Sequence, residues 1–190
     1  MLRIHKYMIV ENEHLYGPGK RLLVFLKGCS IHCDGCINSE LWPFEGGTMI
    51  SSTDILDICN KEKVEGITIH GGEPLDQSVE LFELINLIKR NNYTIILFTG
   101  YNKKELNVIQ KNIWDKSDIV VAGRFELAKR NVNLQFRGST NQRIYCHDGP
   151  YKDYEIKDGY TTAIITLDDD GNMDVNGFLT DDIVKLISEK

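Results

Sequence analysis

Short apolar runs rich in β-branched residues alternate with helical stripes along most of this chain, and that alternation restricts its fold more than any other feature. Residues 21–27 read as a buried strand ended by Gly28. Residues 66–70 read as a strand stopped by Gly71-Gly72, and 93–98 and 118–122 as two more. Between them, Ser51-Ser52-Thr53-Asp54 predicts the cap of a helix running to about Asn60. Leu81, Leu84, Ile85 and Ile88 fall at i, i+3, i+4 and i+7 of a helix over residues 78–90, and a weaker helical pattern covers 103–111. Strands that alternate with helices pair in parallel through right-handed crossovers. A closed eight-unit barrel takes about 250 residues. The 190 residues here suit three or four units, so the expected fold class is α/β, a partial, open barrel of the TIM type.

Residues 1–10 alternate apolar and charged positions and read as a first strand. They lack the uninterrupted apolar core and small-residue cleavage site of a signal peptide. No apolar run approaches the roughly 18 residues of a bilayer span, so no membrane association and a cytoplasmic location are expected. Without a Pro/Gly/Ser-rich linker or a repeat, residues 1–190 are expected to form a single domain. A net charge of −6 lacks the basic footprint of a nucleic-acid binder. The local exception is the stretch 124–143, where Arg124, Lys129, Arg130, Arg137 and Arg143 face only Glu126. It reads as a solvated loop, a docking surface for an acidic partner, or a lid. Beyond it, residues 161–167 read as a strand, Asp169-Asp170-Gly171-Asn172 as a hairpin turn leading back through Met173 to Val175, and Thr180 as the cap of a helix carrying Ile183, Leu186 and Ile187. The barrel therefore carries a C-terminal β-hairpin and helix.

Five cysteines are an odd number, and three of them cluster as Cys29, Cys33 and Cys36, spaced C-x3-C-x2-C, directly after a strand. That argues for a reducing compartment and a metal site rather than a disulfide framework. No fourth cysteine lies nearby. A four-iron cluster held by three thiolates keeps one iron open for chemistry, much as catalytic zinc sites keep an open position. Zinc with His32 as a fourth ligand is the competing reading, although His32 adjoins Cys33 and a closed tetrahedral site there is awkward. Cys59 sits on a predicted apolar helix face as a small hydrophobe, and Cys146, beside His147, has no spaced partner. Trp42 is expected to pack over the cysteine loop. The second motif, Gly71-Gly72-Glu73-Pro74, stands where a strand ends. Two glycines let a ligand approach the backbone, and Glu73 supplies a carboxylate at the same end of the sheet. Alone it is also compatible with a plain turn.

Taken together, Cys29-x3-Cys33-x2-Cys36 and Gly71-Gly72-Glu73-Pro74 one βα unit later resemble the radical S-adenosylmethionine superfamily. Gly17-Pro18-Gly19, Gly28-Cys29 through Trp42, Phe98-Thr99-Gly100-Tyr101 and Arg137-Gly138-Ser139-Thr140-Asn141-Gln142 narrow the resemblance to the activating proteins of anaerobic ribonucleotide reductases, over residues 17–143. The resemblance implies a radical-SAM-type partial barrel and a [4Fe-4S] cluster on Cys29, Cys33 and Cys36. It implies S-adenosyl-L-methionine chelated by the open iron, with its amino group received at Gly71, Gly72 and Glu73 in the Gly71–Pro74 motif. The adenine would lie near Gly35, Cys36 and Ile37, and the ribose or methionine part near Thr99 and Gly100. One-electron cleavage would release a 5′-deoxyadenosyl radical that takes hydrogen from a glycine of a large glycyl-radical enzyme, an anaerobic ribonucleotide reductase, with an electron donor such as flavodoxin. No catalytic side chain beyond the cluster and cofactor is implied. Gly35 stands where many superfamily members carry an apolar or aromatic residue, so the adenine contact is expected from backbone. Two alternatives remain at this level: radical chemistry on a small molecule, as in 7-carboxy-7-deazaguanine synthesis, or on a peptide; and a zinc-binding structural module.

Overall fold

The computed structural model describes residues 1–159, 161–167 and 173–177. In chain order its elements are strand β1 (Leu2–Val10), a one-turn helix α1 (Glu13–Tyr16), β2 (Arg21–Leu26), β3 (Thr48–Ile50), α2 (Ser52–Glu62), β4 (Gly66–Gly71), α3 (Ser78–Arg90), β5 (Thr94–Thr99), α4 (Val108–Lys116), β6 (Ile119–Ala122), β7 (Arg143–Cys146), β8 (Ala163–Leu167) and β9 (Met173–Gly177). The predicted C-terminal helix and the turn 169–172 lie outside the described residues.

Seven strands form one sheet in the order β3-β1-β2-β4-β5-β6-β7. Its centre, β2-β4-β5-β6, is parallel throughout, and α2, α3 and α4 make the crossovers, as the alternation predicts. The result is an open, barrel-like α/β sheet. Two flanks depart from the repeating unit: β1 runs antiparallel to β2 with a register shift between Ile4 and Lys6, and β7 runs antiparallel to β6. A separate hairpin, β8-β9, has the expected strand pairing.

Period two divides the parallel strands between two faces. Leu22, Val24, Leu26, Ile67, Ile69, Ile95, Leu97 and Val120 point outward into one core with Ile55 and Cys59 of α2, Leu81, Leu84, Ile85 and Ile88 of α3, and Ile113 and Trp114 of α4. Cys59 is thus the buried small hydrophobe its helical position predicts. The alternate positions, among them Leu23, Phe25, Thr68, His70, Ile96, Phe98 and Val121, line the concave inner face. The α2 start is fixed by a full capping box between Ser51 and Asp54.

Two local expectations need correction. The weak helix over 103–111 is a single 3-10 turn, Lys103–Glu105, followed by a new start at Asn107, whose side chain accepts from Gln110 N–H and caps α4 through Lys116. The apolar pair that docks this helix, Ile113 and Trp114, lies in its last turn and thus beyond the predicted end. The polar stretch 124–143 also ends in a strand, since β7 begins at Arg143 and its backbone completes the edge of β6.

Candidate functional site

All four parallel strands deliver loops to one end of the sheet, and the first is the cysteine loop. Its two ends are laced together: Gly28 N–H donates to the Leu41 carbonyl at 2.7 Å and Cys29 N–H to that of Trp42 at 3.0 Å. The loop start in turn receives the glycine motif, since Gly72 N–H donates to Leu26 O at 2.9 Å and Glu73 N–H to Gly28 O at 2.8 Å. A Cβ on Gly72 would fall 2.1 Å from the Gly28 carbonyl oxygen. Glycine is therefore required there by the approach of the backbone just past the end of β2. With these amides spent inside the protein, the Gly72 carbonyl, which receives no hydrogen bond among the described residues, is the group left for a donor from outside.

Glu73 is 2% exposed. Its carboxylate accepts from Leu75 N–H and Thr99 Oγ1–H, both at 2.8 Å, and from Gly100 N–H at 2.7 Å. It thus ties the end of β4 to the end of β5 and fixes Thr99 and Gly100 beside the glycine motif. A carboxylate has about four lone-pair positions, so one acceptor direction remains. Burial pushes the Glu73 carboxyl up from 4.5 to about 7 against the pull of these three donors. Pro74 opens the 3-10 turn that follows. It is buried and does not line the cavity described next.

A cavity of about 590 Å³ opens over the inner face at these strand ends. Cys29, Cys33, Gly35, Cys36, Ile37, Gly71, Gly72, Glu73, Thr99 and Gly100 all line it, so every site residue singled out in the sequence except Pro74 meets at one hollow. Among the described residues, no three His, Cys, Asp or Glu side chains converge on a point that would hold a single metal ion. Burial raises both the Cys29 and the Cys33 thiol, while backbone N–H groups of His32 and Ile31 at Cys29, and of Phe125 at Cys33, favour the thiolates. Such N–H donors aimed at sulfur suit thiolates that ligate iron. His32 stacks on Trp42, with ring centroids 4.6 Å apart, so Trp42 packs on the loop as expected and His32 serves as its packing partner.

Comparison with known proteins agrees with this arrangement. Residues 15–145 match the 4Fe-4S single cluster domain family. The anaerobic ribonucleoside-triphosphate reductase-activating protein of Escherichia coli strain K12 is 31% identical over 153 residues, 76% of this chain and 98% of that protein. The protein of the same name from Haemophilus influenzae is 32% identical over 138 residues, 68% of this chain and 89% of its own length. That of enterobacteria phage T4 is 29% identical over 148 residues, 74% and 93% of the two chains. The chain belongs to the radical S-adenosylmethionine activase family. It is therefore a member of a 4Fe-4S and S-adenosylmethionine-dependent enzyme class. Among solved structures, QueE from Escherichia coli superposes on 52% of either chain at 20% identity and a TM-score of 0.43, a likeness too remote to bear on substrate.

In this activase-family chain the structure adds residues that sequence reading passed over. Asp76 accepts from Ser30 N–H at 2.7 Å, from Ser30 Oγ–H at 3.0 Å and from the Tyr101 hydroxyl at 3.1 Å, binding the residue after Cys29 to the β4 and β5 loops. An acid three positions past a Gly-Gly-Glu motif was the available signal, but only the fold places Ser30 opposite it. The stretch 124–143 serves mainly as a wall. Arg130, Val132, Leu134, Phe136, Gly138 and Gln142 line the cavity, and Ser139, Asn141 and Gln142 bond back to Glu126, Arg124 and Gly123. Three of its five basic residues meet acids: Arg124 pairs with Glu105 at 2.8 Å, Lys129 with Glu126 at 2.6 Å and Arg137 with Asp158 at 2.5 Å. Arg137 is thus held in an ion pair within the chain. Among the described residues, no helix is long and apolar enough to cross a membrane.

Proposed function

We propose that this protein is a radical S-adenosylmethionine activase that installs a glycyl radical on a large partner enzyme, an anaerobic ribonucleotide reductase. The observation that carries the reading is the meeting of three thiols, a free strand-end carbonyl and the Glu73–Thr99–Gly100 tie around one cavity. A 590 Å³ hollow is of the size that holds a cofactor.

Cys29, Cys33 and Cys36 would hold the cluster. Bound together, a [4Fe-4S] cluster and S-adenosylmethionine supply one-electron cleavage of a carbon–sulfur bond and a radical able to abstract hydrogen. The chain's own work is to bind, orient and exclude water. The Gly72 carbonyl, with Gly71 and the remaining acceptor direction of Glu73, would receive the amino group of the methionine part. Backbone at Gly35, Cys36 and Ile37 would flank the adenine, and Thr99 and Gly100, fixed by Glu73, would face the ribose. Trp42 and the 126–142 wall would keep solvent from the loop. An electron donor such as flavodoxin would approach the exposed side of the cysteine loop, where Ile37 is 62% and Leu127 54% exposed.

Anaerobically reconstituted protein reduced with dithionite should contain iron and sulfide and convert S-adenosylmethionine to 5′-deoxyadenosine. With the reductase present, a glycine-centred signal should appear in its electron paramagnetic resonance spectrum. Zinc without sulfide would sink the reading, whereas cleavage without any signal on the reductase would redirect it to a small-molecule or peptide substrate.

A further inference from the structure

On the inner face, just beneath the strand-end loops, His70 stands among aromatic side chains. It pairs in register with Phe25 of β2, and its ring lies 5.4 Å from that of Phe25 and 4.6 Å from that of Phe98. Phe136 of the 126–142 wall meets Phe98 edge-on at 6.2 Å. Phe25, His70, Phe98, Val121 and Phe136 all line the cavity. An aromatic and aliphatic cage thus surrounds one imidazole, directly below the motif that would hold the cofactor.

The tautomer follows from the backbone. Gly71 N–H donates to His70 Nδ1 at 2.7 Å, so Nδ1 carries the lone pair and the proton sits on Nε2. Nε2 has no acceptor among the described residues, yet it is not sealed in, and it opens on the cavity. Burial alone lowers the ring to about 4, with no charged group contributing, so at neutral pH the imidazole is uncharged. The charged residues lining the same cavity, Lys6 on β1, Glu40 after the cysteine loop, Glu73 and Arg130 on the wall, do not contribute to that balance.

We propose that His70 is a positioning residue for the substrate, its Nε2–H donating to a backbone carbonyl of the peptide segment that carries the target glycine. This inference rests on the activase reading and names the chemistry its cavity selects. An amide carbonyl satisfies a lone buried donor and brings no charge into an aromatic cage. A carboxylate at the same place would lose its hydration beside Phe25 and Phe98, and Lys6 and Arg130, the cations that line the cavity, do not act on the His70 ring. The site therefore favours a peptide over an acidic small molecule, because a site built around one hydrogen bond penalises whatever cannot complete it.

The test measures binding of a fluorescent peptide copying the reductase glycine segment to the reconstituted full-length protein with S-adenosylmethionine. His70→Phe should raise Kd about ten-fold, the worth of one such bond, and His70→Gln should recover part of it. In turnover with the whole reductase, His70→Phe should raise KM more than it lowers kcat. With the native chain alone, N-acetylglycine methylamide should compete with the peptide and N-acetylglycine should not. Equal competition, absence of peptide binding to the native chain, or a Kd unchanged in His70→Phe would overturn the proposal. Failure of the native chain to make 5′-deoxyadenosine would instead overturn the activase reading.

Discussion

At the N-terminal ends of the parallel strands Arg21 is fully buried, and its guanidinium donates to Thr68 Oγ1 at 2.7 Å, to Ile67 O at 2.6 Å and to Thr94 Oγ1 at 3.0 Å. Thr68 passes the chain of bonds on to Tyr16 O, and nearby Asp118 accepts from Ile95 N–H and Lys89. At the C-terminal ends of the same strands, four loops surround a hollow lined by the three cysteines, Gly72 and His70. The first end plugs the half-barrel with a cation whose acceptors come from the neighbouring strands β4 and β5 and from Pro18 O and the Tyr151 hydroxyl, each at 3.3 Å. The second keeps groups unsatisfied, and an unsatisfied group at a strand end is what a ligand can use. Stability and chemistry are thus assigned to opposite ends of one sheet.

The sharpest way to break this division is Cys33→Ala. S-adenosylmethionine cleavage should fall to background, while the urea midpoint of the metal-free protein stays close to native, because Cys33 lies in a loop outside the core. A large loss of stability in the metal-free variant would mean that the two ends are coupled. Arg21→Ala should do the reverse. Removing a buried cation and stranding its acceptors should destabilise the fold by about 3–5 kcal/mol, with iron bound per folded chain unchanged.

A smaller effect belongs to Glu73. Its folded carboxyl is raised from 4.5 to about 7, so its contribution is full below 4.5 and is lost as pH climbs through about 7. The metal-free protein should therefore be less stable at about pH 8 than at about pH 5 by on the order of 3 kcal/mol, and Glu73→Gln should flatten that slope in urea titrations. An unchanged slope would assign it to other groups. The smallest effect is expected from Asp76→Ala, which releases Ser30 of the cysteine loop, and Tyr101, from the loop after β4. Iron should leave about ten-fold faster under a chelator, with little change in the urea midpoint.

Much of this molecule was legible in its residues. The stripe Leu81, Leu84, Ile85, Ile88 marked α3 to the residue, and Ser51 with Asp54 marked the start of α2, because caps and apolar periodicity act within a few residues of themselves. The cysteine and Gly-Gly-Glu motifs were legible as well, since spacing along one loop is a local property. The antiparallel flanks were not, because β1 and β7 carry no signal for strand direction, and β7 has a half-exposed alternation that a polar neighbourhood masks. The late start of α4 was missed because Asn107 caps it only once the preceding 3-10 turn has closed. The charges of the 124–143 stretch were read correctly in number and incompletely in role, for Glu105 and Asp158 lie outside the window in which they were counted.

The sequence by itself determined the parallel core, the three thiols and the glycine motif, since each is written in contiguous residues. Tertiary structure alone decided that Gly72 must yield to the Gly28 carbonyl, that Glu73 spends its oxygens on Thr99 and Gly100, that Asp76 anchors Ser30, and that His70 turns one N–H into an aromatic hollow. Those decisions join residues from different strands, and such pairings exist only after the sheet has set which strand ends stand side by side.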